Sequence, residues 1–333
     1  EELLEAHVAA AVRSKESGFQ GVEVWAAYHS LLDQFWTPWS NQRTDKWGGG
    51  LEGRTRFSRE LIERIRRACG EDFIVGLAVS YSTAYEVTLG AEALTEILDL
   101  HDRTGHVDYV TVGAGSYLEF EAIIPPFTHG EKLTVPLTQT LKGVLKHAVV
   151  TSEAQVRTPE NGEAIIASGL ADLVSIVRGQ IADPHLARKV AEGRPADIRG
   201  CISCNQMCWG RRSRDYWISC LINPSAGREF EWGGDRFEPA ATPKDVLVVG
   251  GGPAGLEAAR VAAERGHRVE IVEASAVVGG QFRLAGMQPR RGQILELMDW
   301  YERQFVKLGV KLRLNTFLDE EELAAHPAEV VIV

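Results

Sequence analysis

Four cysteines, Cys201, Cys204, Cys208 and Cys220, fall in one short stretch of the chain. Cysteines so clustered in a large chain point to a metal site in a reducing, cytoplasmic compartment rather than to a disulfide framework. The spacing is three close residues and one distant one. A [4Fe-4S] cluster takes such a set, the near thiolates wrapping one corner of the cube and the far one closing it. Structural zinc also accepts four thiolates, usually from two C-x-x-C knuckles, and stands as the alternative. Cys69, alone in a helical pattern, is a bystander.

A second group of residues suits phosphate. Gly250-Gly251-Gly252-Pro253-Ala254-Gly255 reads G-x-G-x-x-G, between an apolar strand at Val246 to Val249 and a helix running to Arg265. Gly250 permits the tight turn, Gly252 lets backbone approach a pyrophosphate, and Gly255 allows close helix packing. The helix N-terminus adds free N–H groups and partial positive charge. Glu273, ending the next strand, offers a carboxylate to ribose hydroxyls. Gly279-Gly280-Gln281 makes a second glycine turn that resembles one placed near the cofactor in FAD-binding two-dinucleotide flavoproteins.

Regular elements must hold these residues. Glu1 and Glu2 lead into an amphipathic helix with Leu4, Val8, Ala11 and Val12 on one face and Gly18 closing it. Strands are predicted at Gly21 to Trp25, Phe73 to Val79, Val107 to Val112, Ala148 to Thr151 and Leu173 to Val177. Helix patterns lie around Glu60 to Ala68, Ala91 to His101, Pro136 to Lys146 and Pro159 to Ser168. Alternating strands and helices imply a parallel α/β sheet, either a barrel or a doubly wound sheet. Five strands do not close an eight-stranded barrel, so the barrel reading expects three more upstream. Residues 196–243 lose this periodicity and end in a linker, Glu238 to Pro243. From Lys244 a second α/β unit takes in Arg268 to Val272, Val310 to Leu314 and Val330 to Val333.

The 333 residues, 44% hydrophobic and 25% charged, describe an ordinary globular protein of about two domains. A formal charge of -10 argues against a nucleic-acid face and favours a small-molecule partner. The apolar run Val246 to Leu256 is far short of the roughly 20 residues that span a bilayer, so no membrane span is expected. A start without Met predicts an excerpt from a longer chain.

The stretch Asn41-Gln42-Arg43-Thr44-Asp45-Lys46-Trp47-Gly48-Gly49-Gly50-Leu51-Glu52-Gly53-Arg54-Thr55-Arg56-Phe57 resembles the Old Yellow Enzyme class of FMN barrels, the NADH:flavin oxidoreductases. Cys201-Ile202-Ser203-Cys204-Asn205-Gln206, Cys220-Leu221-Ile222-Asn223-Pro224 and the Val248 to Gly255 loop narrow the resemblance to its multicentre branch. That branch includes 2,4-dienoyl-CoA reductase, trimethylamine dehydrogenase and dimethylglycine or N-methylproline demethylases. The resemblance implies three regions. Residues 1–195 would be the C-terminal part, strands four to eight, of a (β/α)8 TIM barrel binding FMN. Residues 196–243 would be the [4Fe-4S] loop, and residues 244–333 a partial Rossmann-like FAD/NAD(P)-binding domain for FAD or ADP. It places the FMN phosphate at Ala154-Gln155 and Arg178-Gly179, and the FAD site at the two glycine turns with Glu273. Two departures bear on the flavin: Ala78 stands where the family usually has an Arg near flavin N1, and Ala154-Gln155 where it has Gly-Arg.

The substrate end departs as well. Dienoyl reductases present a proton-donating Tyr at the position of Ser30 and a His near Tyr117, whereas Trp25 to Trp36 is closer to the demethylases. Reducing a C=C bond needs a positioned acid. Oxidising an amine needs a neutral nitrogen and a hydride acceptor. Trp25, Tyr28, Trp36 and Phe120 can hold an alkylammonium by cation–π contact, and His29 can serve as base. The candidate catalytic residues are therefore Tyr28, His29, Ser30 and Tyr117. The expected reaction is oxidative N-demethylation of a small methylated amine or amino acid, with electrons passing from FMN to the cluster; an electron-transfer flavoprotein or NAD(P)H is the expected redox partner. The alternatives are NAD(P)H-dependent enoyl reduction and a noncatalytic redox or zinc module.

Overall fold

The structure, a computed structural model, describes residues 1–131, 133–153, 155–234 and 236–333. Two compact units make it up: Glu1–Pro125 with His129–Ile176, and Pro126–Thr128 with Val177–Val333.

In the first unit five parallel strands, β1 Gly21–Ala26, β2 Ile74–Tyr81, β3 Tyr109–Ala114, β4 Val149–Ser152 and β5 Leu173–Val174, lie side by side in chain order. Unbroken order means that each crossover advances one strand in the same direction, as in a (β/α) barrel wall; a doubly wound sheet would reverse. The helices are α1 Glu2–Glu16, α2 Leu31–Trp36, α3 Leu51–Cys69, α4 Ala91–Asp102, α5 Phe120–Ile123, α6 Val135–Val144 and α7 Pro159–Ala167. Helix α3 starts well before the predicted Glu60 because Gly50 ends the glycine run in extended backbone. Strand β2 is buried over six consecutive residues, Val75 to Ser80, the pattern of a strand covered on both faces. Its Val75, Leu77 and Val79 share a core with Leu61, Ile62 and Ile65 of α3 and Leu94, Ile97 and Leu98 of α4. Each such side chain withdrawn from water contributes roughly 1.5–3 kcal/mol. One polar chain crosses this core. Trp36 Nε1 donates to Ser58 Oγ at 2.9 Å, Ser58 meets His101 Nε2 at 2.8 Å, and His101 Nδ1 reaches the Ile97 carbonyl at 2.8 Å. The carbonyl fixes a proton on Nδ1, and burial pulls the pKa down to about 4, so His101 is neutral near pH 7.

The second unit has helices α8 Arg178–Ala182, α9 Leu186–Ala191, α10 Trp209–Arg212, α11 Glu229–Trp232, α12 Pro253–Glu264, α13 Gly280–Gly286, α14 Gln293–Leu308 and α15 Glu320–Ala325. Its parallel strands β6 Asp245–Val249, β7 Arg268–Val272, β8 Lys311–Arg313 and β9 Val330–Ile332 run in the order β8-β7-β6-β9. The order reverses between β6 and β9, the switch point of a Rossmann sheet. Helix α12 carries an ionic group around the buried Arg260. Arg260 binds Glu257 through two bonds of 2.8 and 2.7 Å and Glu264 at 2.7 Å, and the Tyr301 hydroxyl donates to Glu257 at 3.0 Å. The guanidiniums of Arg199 and Arg260 lie 5.3 and 5.8 Å from the Trp300 ring centroid.

The units divide at Ile176 and Val177, ahead of the boundary expected near residue 195. Side chains explain the early division: Asp183 accepts the Arg199 N–H at 2.9 Å, and Asn223 Nδ2 donates to the Ile181 carbonyl at 2.9 Å, tying α8 and α9 to the cysteine segment. Strand β5 is shorter than predicted because the chain turns into α8 at Arg178. Among the described residues no helix is long and apolar enough to cross a membrane.

Candidate functional site

All four clustered thiols, with Ile181, Ile202 and Ile222, line one cavity of about 20 Å³ in the second unit. Ser203 and Asn205 hold left-handed backbone, φ 53° and 55°, which coils the C-x-x-C segment tightly enough to turn amides toward sulfur. Ser203 N–H donates to Cys201 Sγ at 3.4 Å. The Gln206 amide donates to Cys204, and the Ile222 and Asn223 amides to Cys220. Burial opposes ionisation: it raises the Cys204 thiol and pushes Cys220 up to about 11, against the pull of those amides. Thiolates there need compensating positive charge, which a metal group supplies. Among the described residues no three His, Cys, Asp or Glu side chains gather as they would around one metal ion. Arg178 lines the same cavity, its Nη1 donating to Asn205 Oδ1 at 2.6 Å, and Gly179 is buried in the first turn of α8.

The glycine loop shows a separate reason for each glycine. Gly250 has φ 102°, left-handed backbone that suits glycine. A Cβ on Gly252 would meet nothing within 4 Å, leaving the loop open to a ligand, whereas one on Gly255 would lie 2.1 Å from the Gly250 carbonyl oxygen. Pro253 opens α12 at its first turn, where no N–H is needed. The second glycine turn stacks on the first: Gly279 N–H donates to Gly251 O at 2.7 Å, and a Cβ on Gly280 would lie 3.7 Å from Gly252 Cα. Gln281 is exposed on α13. Glu273 lies just past β7, its two oxygens accepting the Gly251 and Ser275 amides, each at 2.7 Å. A carboxylate has further lone pairs, so these bonds orient the group toward the loop while leaving acceptor capacity. A larger cavity of about 1070 Å³ touches Pro253 and Ala254 of this loop, Phe282, Tyr301, and Leu221 and Ile222, which also wall the cysteine cavity.

At the C-terminal ends of the first unit's strands, where barrel active sites lie, Tyr28 and His29 both have left-handed backbone, φ 63° and 69°. Tyr28 N–H donates to Ser80 Oγ at 2.6 Å, and its buried hydroxyl donates to Glu153, just after β4. Ala78, in place of the family's Arg, packs with Ala27 against Tyr28. Tyr117 joins through its N–H, which donates to the Tyr28 carbonyl at 3.1 Å; its own ring is exposed and stacks on Phe120. Ser30 begins α2, with its hydroxyl against Asp33 Oδ1 at 3.2 Å and the Trp25 carbonyl at 3.4 Å. Asp33 also accepts the His29 amide at 2.7 Å. Gln155, φ 69°, donates to the His129 carbonyl at 3.3 Å, and Ala154 lies outside the described residues. Sequence reasoning singled out Tyr28 but missed Glu153, Ser80 and Asp33. The one local hint of Glu153 is an acid just past the predicted strand Ala148 to Thr151.

The model of the NADH:flavin oxidoreductase / NADH oxidase family matches residues 1–197, and that of FAD dependent oxidoreductases matches residues 245–320. The chain is 38% identical to the NADH oxidase of Thermoanaerobacter brockii, over 100% of this chain and 51% of that protein. It is 36% identical to the N,N-dimethylglycine/sarcosine dehydrogenase of Chromohalobacter salexigens, over 96% of this chain and 46% of that one. Among solved structures, a 2-naphthoyl-CoA reductase in complex with 2-naphthoyl-CoA superposes with a TM-score of 0.94 and 35% identity, covering 99% of this chain and 50% of that chain. The chain thus spans about half the length of the curated relatives it matches.

Proposed function

This chain belongs to the NADH:flavin oxidoreductase / NADH oxidase family, and we propose that the protein carries out oxidative N-demethylation of a small methylated amine or amino acid. The observation that carries the reading is the Tyr28–Glu153 pair, with the half-exposed Trp25 ring 5.4 Å from Tyr28. A carboxylate behind aromatic faces complements an alkylammonium. The likeness to an N,N-dimethylglycine/sarcosine dehydrogenase supports it. The rival, enoyl reduction, is favoured by the likeness to a 2-naphthoyl-CoA reductase. Against it, the Ser30 hydroxyl, where dienoyl reductases present their acid, is engaged at the start of α2.

Bound flavin and iron–sulfur groups would supply a hydride acceptor and a one-electron relay. The chain's own residues position and hold them. Cys201, Cys204, Cys208 and Cys220 fit a [4Fe-4S] cluster, sharing one apolar cavity with amides directed at three of the sulfurs. Gly250, Gly252, Gly255, Gly280 and Gln281 frame the start of α12, and with Glu273 they fit FAD or ADP. Ala154, Gln155, Arg178 and Gly179 are the residues for an FMN phosphate on the strength of the resemblance. Ala78, where the family usually has an Arg near flavin N1, packs on Tyr28 and would supply no cation to a bound reduced flavin. An electron-transfer flavoprotein would be the redox partner of this oxidation, and NAD(P)H that of the rival reduction.

The deciding experiment uses the full-length protein. Bleaching of its flavin, without oxygen, by dimethylglycine or N-methylproline is the expected result. Bleaching by NADPH alone, with turnover of enoyl thioesters, would overturn the reading in favour of the rival. Zinc without acid-labile sulfide would remove both and leave the noncatalytic module.

A further inference from the structure

Elements distant in sequence bring Tyr28, Ser80, Gly113 and Glu153 to one point in the first unit. The Tyr28 hydroxyl donates to Glu153 across 125 residues, and Ser80 holds the Tyr28 amide across 52. Gly113 of β3 makes the room: a Cβ there would lie 2.3 Å from the Tyr28 hydroxyl and 2.4 Å from Glu153 Oε1. Left-handed backbone at Tyr28, His29 and Gln155 flanks both partners, strain of the kind that clusters at functional sites.

Building on the amine reading, we propose that Glu153, acting through the Tyr28 hydroxyl, receives the proton of a substrate ammonium and so delivers the neutral amine that oxidation requires. The substrate class is an amine that arrives protonated, with at least one N–H. The step moves protons only. The substrate N–H bond breaks as a new O–H bond forms on the Tyr28 oxygen. The hydroxyl's original O–H bond breaks as the proton passes to Glu153 Oε1. Tyr28 ends unchanged, Glu153 neutral, and the nitrogen lone pair free. Trp25 and the exposed Tyr117 supply the aromatic approach.

The surroundings suit a proton acceptor. Burial raises the Glu153 carboxyl above the usual carboxylate range, against the pull of the Tyr28 bond, which makes it a stronger base than an exposed glutamate. Tyr28 itself is raised by burial and by Glu153, so it relays a proton without resting as phenolate. The other titratable groups facing the pair are Glu23 of β1, which accepts from Thr111 at 2.6 Å and from Tyr109, and Tyr117 beyond β3.

Glu153 is a positioning residue, so its test needs more than a loss of rate. In the full-length, flavin-loaded protein, Glu153→Gln keeps an acceptor for Tyr28 but takes no proton. The expected result is a loss of roughly 10²–10⁴-fold in flavin reduction by dimethylglycine near pH 7. The remaining rate then rises with pH in step with the free amine, and Tyr28→Phe in the same chain adds no further loss, because the two act in series. A second readout is free of turnover: tert-butylammonium carries N–H protons but no oxidisable carbon beside nitrogen. Its binding should produce the infrared band of a neutral carboxyl in the wild type and none in Glu153→Gln, whereas tetramethylammonium, which has no N–H, should produce it in neither. An unchanged rate and pH profile in Glu153→Gln, or a band that appears with both probes, overturns the proton role. If no amine bleaches the wild-type flavin, the amine reading fails first and the proton role falls with it; if amines bleach wild type and Glu153→Gln alike, only the proton role fails.

Discussion

The two sheets share parallel pairing throughout, yet they make their sites by opposite routes. In the second unit the order β8-β7-β6-β9 reverses beside β6, and the glycine loop leaves from that strand. The reversal opens a crevice without help from distant residues, so one continuous motif and one acid after the next strand describe the site. In the first unit the order β1-β2-β3-β4-β5 never reverses, and no such crevice opens. The candidate site there has to be assembled from the ends of strands far apart in sequence, as Tyr28, Ser80, Gly113 and Glu153 are.

Substitutions can break or sharpen this contrast, beginning with the largest effect. Arg260 is buried with bonds to two carboxylates, whereas Arg66 in the first unit binds one part-exposed carboxylate, Asp108, and the carbonyls of Glu71, Phe73 and His106. Arg260→Met takes the main cation from the half-buried Glu257, leaving Arg199 at 3.7 Å, and should cost about 3 kcal/mol in urea unfolding of the second unit. Arg66→Met should cost less, since Asp108 can turn to water. Equal losses would contradict the reading that pairing with two carboxylates makes Arg260 the more stabilising of the two buried arginines.

Two glycines set rigid against adaptable crowding. An Ala methyl at 255 would meet the backbone oxygen of Gly250, whereas one at 113 would meet the far ends of two side chains. Gly255→Ala should therefore cost about 3 kcal/mol and abolish nucleotide binding, and Gly113→Ala about 1 kcal/mol while separating Tyr28 from Glu153. Thermal melts with and without ADP distinguish the two.

His101 gives the first unit a sensitivity to mild acid. Its folded pKa of about 4 lies below the roughly 6.5 of an unfolded histidine. Its contribution is therefore complete above pH 6.5 and is lost as pH falls toward 4, by roughly 3 kcal/mol over that window. His101→Gln should flatten this slope in unfolding measured from pH 7 to 4; an unchanged slope would show that other groups carry it. The smallest effects belong to the helix starts. Thr158 of α7 accepts the Asn161 amide at 3.3 Å, and Asp319 of α15 forms a reciprocal cap with Glu322. Thr158→Ala and Asp319→Ala should each cost about 1 kcal/mol, the second slightly more because it breaks two bonds.

Particular residues show what was legible from sequence. The strand starts appear in the structure within a few residues of the predicted ones, because burial on both faces writes itself into runs such as Val75 to Ser80, whereas α3 begins nine residues before the predicted Glu60. The glycine loop and the cysteine group were legible for the same reason: their parts are neighbours along the chain. Ser30 was singled out by its position in a motif, and only its bonds to Asp33 and Trp25 show it engaged at the start of a helix. Gln155 and Ala78 read as lost cations; packing adds that Ala78 makes space for Tyr28.

The amino-acid sequence by itself determined the family, the parallel α/β elements and the two local motifs, because spacing along the chain is the whole of their geometry. Tertiary structure alone decided the division of the units at Ile176 and Val177 and the partnership of Tyr28 with Glu153. Those depend on which strands become neighbours, and strand pairing relates residues by distance in space rather than in sequence.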